Sequence, residues 1–515
     1  MKNESRVKKT MLNAKMNLIC YFASFVTAFF TRKILLDHLG AEFIGFTGTV
    51  GSLLSFLNLA ELGICTAIGY VLYKPIADGD KLKINEVISV LGYLYQKIGY
   101  IILVSGVILS FFLPLIFPNT AFSLGVVYVG FYAYLTTSLI GYFVNYRAAL
   151  LSADQRNYIV TGYFQMTTTS KVILQMILAL YTGSFYIYLS IELLFGIVNA
   201  IILNWKIDKT YPWLKSEIKL GRQLFKKYPE ISKYTKQIFA HRIGGVVQGQ
   251  LTPVLIYSFV SLPVVALYTN YILLTQKVEN LISATINSTS AAVGNLIAEG
   301  DKDKILKVFR ELLALRMFIA FIVTACIYTL SSPLVSLWLG KEYILSNSVV
   351  ALIAILSGLG IARGVLDQFC YGCGLFADIW APYAESIIMV VFAIAGGSQW
   401  GLPGVLLGPL ASIIIIIYIW KPYYLFSRGF KIPFSEFILS FTTHLITSVI
   451  AFIATDYIYT IVKHTETTAS NWGNFILNGC LYIVIIAVIS FGGYYLTAKG
   501  FRDFIGRTRI YKNKL

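Results

Sequence analysis

Charge is scarce in this chain of 515 residues. Asp, Glu, Lys and Arg together make up 13% of it, about half the share of an ordinary soluble domain, which excludes a soluble globular protein. Histidine is scarcer, with four scattered residues. The CxxC spacing of Cys370-Tyr-Gly-Cys373 therefore has no partnering cluster, and the six cysteines read as small residues of helix packing rather than metal ligands. Nucleophile motifs and phosphate loops are lacking too. The short GLGIARG at 358–364 lies inside an apolar run and carries little as a nucleotide signal. No cofactor is expected. Acids number 25 against 42 Lys and Arg, a net charge of +17, but the placement of those cations excludes nucleic acid as the partner.

What is present is apolar length. The chain is 57% hydrophobic, with a mean hydropathy of +0.71. Runs near 20 residues, enough for a bilayer core of roughly 30 Å, recur from end to end. The pattern predicts an all-α polytopic membrane protein with fourteen transmembrane helices: 11–31, 43–73, 91–117, 123–147, 158–181, 184–205, 238–259, 262–298, 312–337, 346–373, 377–397, 402–420, 436–462 and 475–498. The basic N-terminus MKNESRVKKT reads as the flank of a retained first helix, because no small-residue cleavage site follows it. With both termini in the cytoplasm, the inside segments hold 32 Lys and Arg and the outside segments four. That bias fixes the orientation and explains the basic charge as topology, with attraction to anionic membrane lipids as a second effect.

The chain also repeats itself. Residues 76–84 read IADGDKLKI and residues 297–305 read IAEGDKDKI, seven of nine identical. The same offset of 221 lays Asn13, Asn17, Cys20, Ser24, Thr27 and Thr31 of helix 1 over Tyr234, Ile238, His241, Gly245, Gln248 and Thr252 of helix 7. His241 and Gln248 pack poorly, so this stripe is expected to line water rather than merely to let helices approach closely. Both repeated phrases follow an even-numbered helix and face inside. The expected architecture is therefore two parallel-repeat six-helix lobes, 1–205 (helices 1–6) and 238–420 (helices 7–12), with substrate between them. A basic cytoplasmic linker, 206–237, joins the lobes, and helices 13–14 with a basic tail occupy 421–515. Asp78-Gly-Asp80 and Asp301-Lys-Asp303 have DxD spacing, but beside Gly79 and Gly300 they read as turns.

Six cations remain once the inside and outside segments have been counted: Lys15, Lys97, Lys171, Arg242, Lys277 and Arg363. A charge at mid-bilayer costs at least about 2.5 kcal/mol, so such residues face a wet cavity or a partner. Lys15 and Lys97 are placed to snorkel, and Arg242 equally suits snorkelling or a cavity. Lys171 shares a helix face with Thr168 and Gln175. Lys277 shares one with Asn270, Asn280 and Asn287, and Arg363 stands four residues before Asp367, which it can neutralise. Glu61, Glu192, Glu279 and Glu385 are intramembrane acids, suited either to pairing with a cation or to a proton or sodium site. Cations and amides converging on one cavity suit an anionic, sugar-like ligand.

The stretch RKILLDHLGAEFIGFTGTVGSLLSFLNLAELGICTAIGYVLYKPIADGD resembles the polysaccharide-export branch of the multidrug/oligosaccharidyl-lipid/polysaccharide exporter superfamily. The likeness centres on Leu39-Gly40-Ala41-Glu42, Ala60-Glu61-Leu62-Gly63 and Leu72-Tyr73-Lys74-Pro75, and it departs from the pattern at Cys65-Thr66. The resemblance implies a flippase of the bacterial cytoplasmic (inner) membrane, not an enzyme. It would move an undecaprenyl-diphosphate-linked oligosaccharide, such as an O-antigen or capsule unit, outward by alternating access, alongside other polysaccharide-assembly proteins. Lys171, Arg242, Lys277, Arg363, Asn280 and Gln248 are then the expected substrate contacts. Glu61, Glu192 and Asp367 are the expected proton- or sodium-coupling groups. The alternative within the superfamily is a drug/cation antiporter. A membrane polymerase or ligase is disfavoured by the short outside connections, which offer no sizeable loop for catalytic residues.

Overall fold

The computed structural model describes residues 6–61, 63–118, 120–286, 290–375, 377–462 and 471–512. These are helical almost throughout, with no strand among them. The chain divides into two compact units, one ending at Ala266 and the other starting at Leu267.

Unit 1 opens with α1 (Arg6–Leu57), a helix broken at Gly40, whose φ of 81° no helix accommodates. A short tight turn, Asn58–Glu61, leads to α2 (Ile64–Asp78). The predicted helix 43–73 is thus two pieces. Gly63 sets the break, at φ 95°, and a Cβ there would lie 2.9 Å from the Ile238 Cβ. Then follow α3 (Lys81–Ser110), α4 (Leu113–Ile116), α5 (Leu124–Phe143), α6 (Ala148–Ala153), α7 (Asn157–Thr182), α8 (Phe185–Thr210), α9 (Gly221–Lys227) and α10 (Pro229–Phe259). The helix α1 packs on α7 and α10, while α5 packs on α3 and α8. Phe43, Phe46, Phe117, Phe122 and Phe131 are buried at the core of this unit.

The segment between α8 and α10 is folded onto α3. The Asn85 and Ser89 side chains accept hydrogen bonds from the Lys215 and Glu217 amides at 3.0 and 2.8 Å. Glu86 receives Lys227 at 2.7 Å and the Tyr228 hydroxyl. Burial, and after it the Asp154 carboxylate that accepts its hydrogen bond, pushes the Tyr211 hydroxyl well above the ordinary tyrosine range.

The helix α11 (Leu262–Ile286) runs across the boundary between the units. Unit 2 continues with α12 (Ser290–Glu299), α13 (Lys302–Trp338), α14 (Asn347–Gly372), α15 (Trp380–Trp400) and α16 (Leu402–Ser412). π-Wound turns at Ile413–Trp420 and Leu425–Phe430 flank α17 (Lys421–Tyr424). Last come α18 (Ser435–Val462), α19 (Trp472–Thr497) and α20 (Lys499–Lys512). Its principal pairs are α13 with α14, α15 with α16, and α18 with α19. Phe309, Phe369, Phe426, Phe430 and Phe437 fill its core.

The duplicated phrase builds one device twice. Gly79 and Gly300 end α2 and α12 at φ 69° and 79°. Asp80 and Asp301 then cap α3 and α13, accepting from the Lys83 and Lys304 amides at 3.0 and 3.1 Å. The Lys83 amide, first among the causes, holds the Asp80 carboxyl below its ordinary range. Both DxD pairs are turns.

Among the described residues, ten helical stretches are long and apolar enough to cross a bilayer. This is a multi-pass membrane protein. The helices α7, α10 and α11 fall short of that standard because polar residues dilute their hydropathy, and these carry Lys171, Arg242, Gln248, Lys277 and Asn280.

Candidate functional site

In unit 1, α7 and α8 bring Lys171 and Glu192 together at 2.7 Å. Gln175, one turn on from Lys171, donates to the other Glu192 oxygen at 3.3 Å and to the Tyr188 carbonyl at 3.2 Å. Below them Thr167 donates to Asn199 at 3.0 Å. Gln175 and Glu192 are buried, and Lys171 is 19% exposed. Two sequence-predicted residues of opposite sign, 21 apart in the chain, are thus one neutral pair inside a membrane unit.

Glu61 stands at the break between α1 and α2. Its carboxylate accepts the Tyr95 hydroxyl from α3 and the Tyr142 hydroxyl from α5, the latter at 2.9 Å. Asn58 accepts from Ser138 and Tyr142, each at 3.1 Å, so Tyr142 has one proton for two acceptors. Among the described residues no Lys or Arg lies within ion-pair distance of Glu61. These hydroxyls hydrogen-bond the carboxylate without supplying a counter-charge. Its partners Tyr95, Tyr142 and Ser138 lie on other helices, out of reach of any sequence spacing.

Part of the polar stripe of α1 is packed rather than open, while Asn17 is exposed. Asn13 donates to the Gln155 carbonyl at 2.9 Å and accepts from the Tyr158 amide at 2.6 Å, Cys20 lies 3.9 Å from the Thr161 carbonyl, and Thr31 contacts Met176 at 3.1 Å. At these positions the stripe is a packing seam against α7 and its preceding turn, because small polar residues let two helices approach closely. The matching side chains His241 and Gln248 on α10 lie outside the described residues, as does that of Arg242.

In unit 2, Lys277 is half-buried and Asn280 exposed on α11. Arg363 and Asp367, one turn apart on α14, pair at 3.3 Å. Arg363 also reaches Glu385 of α15 at 3.8 Å. Lys421, at the start of α17, is bonded to the second Asp367 oxygen. The guanidinium of Arg316, from α13, donates to the Ile361 carbonyl of α14 at 3.3 Å. A Cβ on Gly364 would stand only 2.0 Å from the Arg316 Nη1, so glycine there makes room for it. Arg316 lies near the start of the sequence-predicted span 312–337, and Lys421 directly follows the span 402–420. The helices run beyond their apolar stretches and carry both into this cluster.

The same unit has an apolar groove of about 490 Å³ among α13, α14 and α18, lined by Phe321, Tyr328, Ile355, Val449 and Phe452. Among the described residues no group of three His, Cys, Asp or Glu is placed to hold a metal ion.

No protein-family model matches the chain, and no curated protein does. Solved structures do match. The lipid II flippase MurJ in an inward closed conformation superposes with a TM-score of 0.64 at 14% identity, over 95% of this chain and 99% of the flippase. An inward-facing multidrug resistance MATE family transporter of the MOP superfamily superposes with a TM-score of 0.59 at 14% identity, over 79% of this chain and 95% of the transporter. The chain has the all-helical membrane fold that these two proteins share.

Proposed function

We propose that this protein is a flippase that carries a lipid-linked oligosaccharide, on an undecaprenyl diphosphate, across the bacterial cytoplasmic membrane for surface polysaccharide synthesis. Both termini lie in the cytoplasm, and the lobes 1–205 and 238–420 alternate in access. The observation that carries this reading is the apolar groove of unit 2 in a chain that also gathers polar side chains inside its membrane helices. An amphiphile asks for both: a groove for the prenyl chain and charged groups for the head. The near full-length likeness to a lipid II flippase supports the same class. Lys171, Arg242, Lys277, Arg363, Asn280 and Gln248 are the proposed head contacts, and Glu61, Glu192 or Asp367 couples a proton or sodium. An inside-negative potential favours outward movement of the anionic head by about 2.3 kcal/mol per charge per 100 mV.

Deleting the gene should make lipid-linked oligosaccharide accumulate on the inner leaflet. Restoring a copy with Lys171 and Arg363 both changed to Gln should leave the accumulation in place while the variant still inserts in the membrane. Normal surface polysaccharide in the deletion strain would refute the reading. The antiporter alternative would show itself as dye sensitivity in the same strain.

A further inference from the structure

The last two long helices, α18 and α19, turn their polar sides inward. The buried positions of α18 include His444, Thr447, Ser448, Thr455 and Tyr459. Those of α19 include Asn478, Tyr482, Ser490 and Tyr494. The exposed positions of both helices are largely Ile, Leu and Val. Hydroxyls bond across the seam: Ser448 with Tyr494 at 2.9 Å, Thr447 with Thr497 at 2.8 Å, and Thr329 of α13 to Tyr482 at 3.0 Å. Small hydroxyls alone would make this a packing seam, like the one between α1 and α7. Its orphaned atoms set it apart. Among the described residues the His444 Nε2, the Ser490 Oγ and the Tyr459 hydroxyl are buried without a hydrogen-bond partner. Three such atoms in one seam point to water, because a buried polar group left bare is costly.

His444 is the group placed to use that water. It is 4% exposed, and its Nδ1 is bonded to the Ser440 carbonyl one turn back on α18. A carbonyl only accepts, so Nδ1 carries the proton and Nε2 of the neutral ring is a bare acceptor. A route leads to it from one end of the seam. Thr497 is exposed, it bonds Thr447, and Thr447 stands three residues from His444 on the same helix. The helix α18 packs on α19 and α13. The titratable group set against the imidazole from α19 is Tyr494, its ring 5.6 Å away. The charged groups of α13 toward this end bond elsewhere: Arg310 with Glu436, Glu311 with Arg507, and Arg316 with the Ile361 carbonyl.

We propose that the seam of α13, α18 and α19 is a water-filled track in which His444 binds a proton at Nε2. A hydronium ion arriving past Thr497 and Thr447 gives up its proton and is left as water. An N–H bond forms, and the ring passes from neutral to singly positive. Water in the track supplies the solvation that a dry interior refuses a charge. The site adds a protonatable group to Glu61, Glu192 and Asp367, and it stands or falls apart from the flippase reading.

Nuclear magnetic resonance on the purified full-length protein in lipid nanodiscs, with ¹⁵N-labelled histidine, reads both halves of the proposal. The chain has four histidines, and the signal lost in His444→Gln is that of His444. If that variant does not fold, His38→Gln, His241→Gln and His464→Gln combined leave His444 as the single signal. Lowering the pH from about 8 to about 5, the range in which imidazole charges, should move the Nε2 resonance reversibly from its deprotonated to its protonated position. The imidazole should also receive magnetisation from water. An Nε2 that stays deprotonated across that range, or a ring that meets no water, would overturn the inference. Thr447→Val with Thr497→Val should slow proton exchange at the ring, and an unchanged rate would overturn the entry route. Either outcome leaves the transport of a lipid-linked saccharide to its own test.

Discussion

At the scale of single residues, the membrane helices handle charge by pairing it across helices. Lys171 and Glu192 are the simplest case, 2.7 Å apart, with Gln175 holding the second carboxylate oxygen. Removing one partner strands the other in a low-dielectric surrounding, which costs about 3–5 kcal/mol, whereas replacing both leaves nothing stranded. Lys171→Met or Glu192→Met alone should therefore lower the thermal unfolding midpoint in detergent, and the double variant should recover most of the loss. Equal loss in the singles and the double would mean the pair contributes through packing alone. Glu61 is different in kind, since hydroxyls and not a cation attend it. The sequence displays each of these residues as an intramembrane charge but not its partner, because ion pairs between helices follow no fixed spacing. Arg363 and Asp367 are the exception: four apart on one helix, their pairing can be read directly.

At the scale of elements, the repeated phrase is the clearest message in the chain. Its glycine supplies the left-handed turn and its aspartate caps the following helix, in both copies. Asp80→Ala and Asp301→Ala should each make the amides at the start of the capped helix exchange roughly several-fold faster, with the two losses alike. Hydrogen exchange at 83–86 and 304–307 reads this directly. For Asp80 the folded carboxyl titrates below its unfolded value. Its contribution is therefore present above the unfolded pKa and is lost as the pH falls through the folded one. Unchanged exchange would mean the turn is held by its glycine alone. Periodicity and hydropathy located the helices but not their interruptions. The break after Leu57 shows in the tight turn Asn58–Glu61 and in the positive φ of Gly63, and an apolar run continues across it. Helix ends were also misplaced. The helix α13 starts at Lys302, ten residues before the predicted 312, and the helical path past α16 continues to Phe430. Hydropathy sees the bilayer core and misses the turns that protrude from it, so Lys421 falls just past the predicted 402–420 although the helical path includes it.

At the scale of the whole molecule, the all-helical, multi-pass character follows from composition, since a chain so poor in charge and so rich in long apolar runs can satisfy its backbone in lipid only as helices. The two-unit division and the likeness to a flippase and a transporter agree with that class. Substrate identity is less legible, because the polar side chains that would choose it lie on several helices and within two separate units. The account's central claim is that this chain moves the head of a diphosphate-linked saccharide through the bilayer while its tail stays in lipid. Purified protein in sealed vesicles, with a fluorescent undecaprenyl-diphosphate oligosaccharide in both leaflets and a membrane-impermeant quencher outside, measures that movement. Vesicles containing the protein should expose the inner-leaflet share to the quencher, and protein-free vesicles should keep it protected. Equal protection in both would contradict the account.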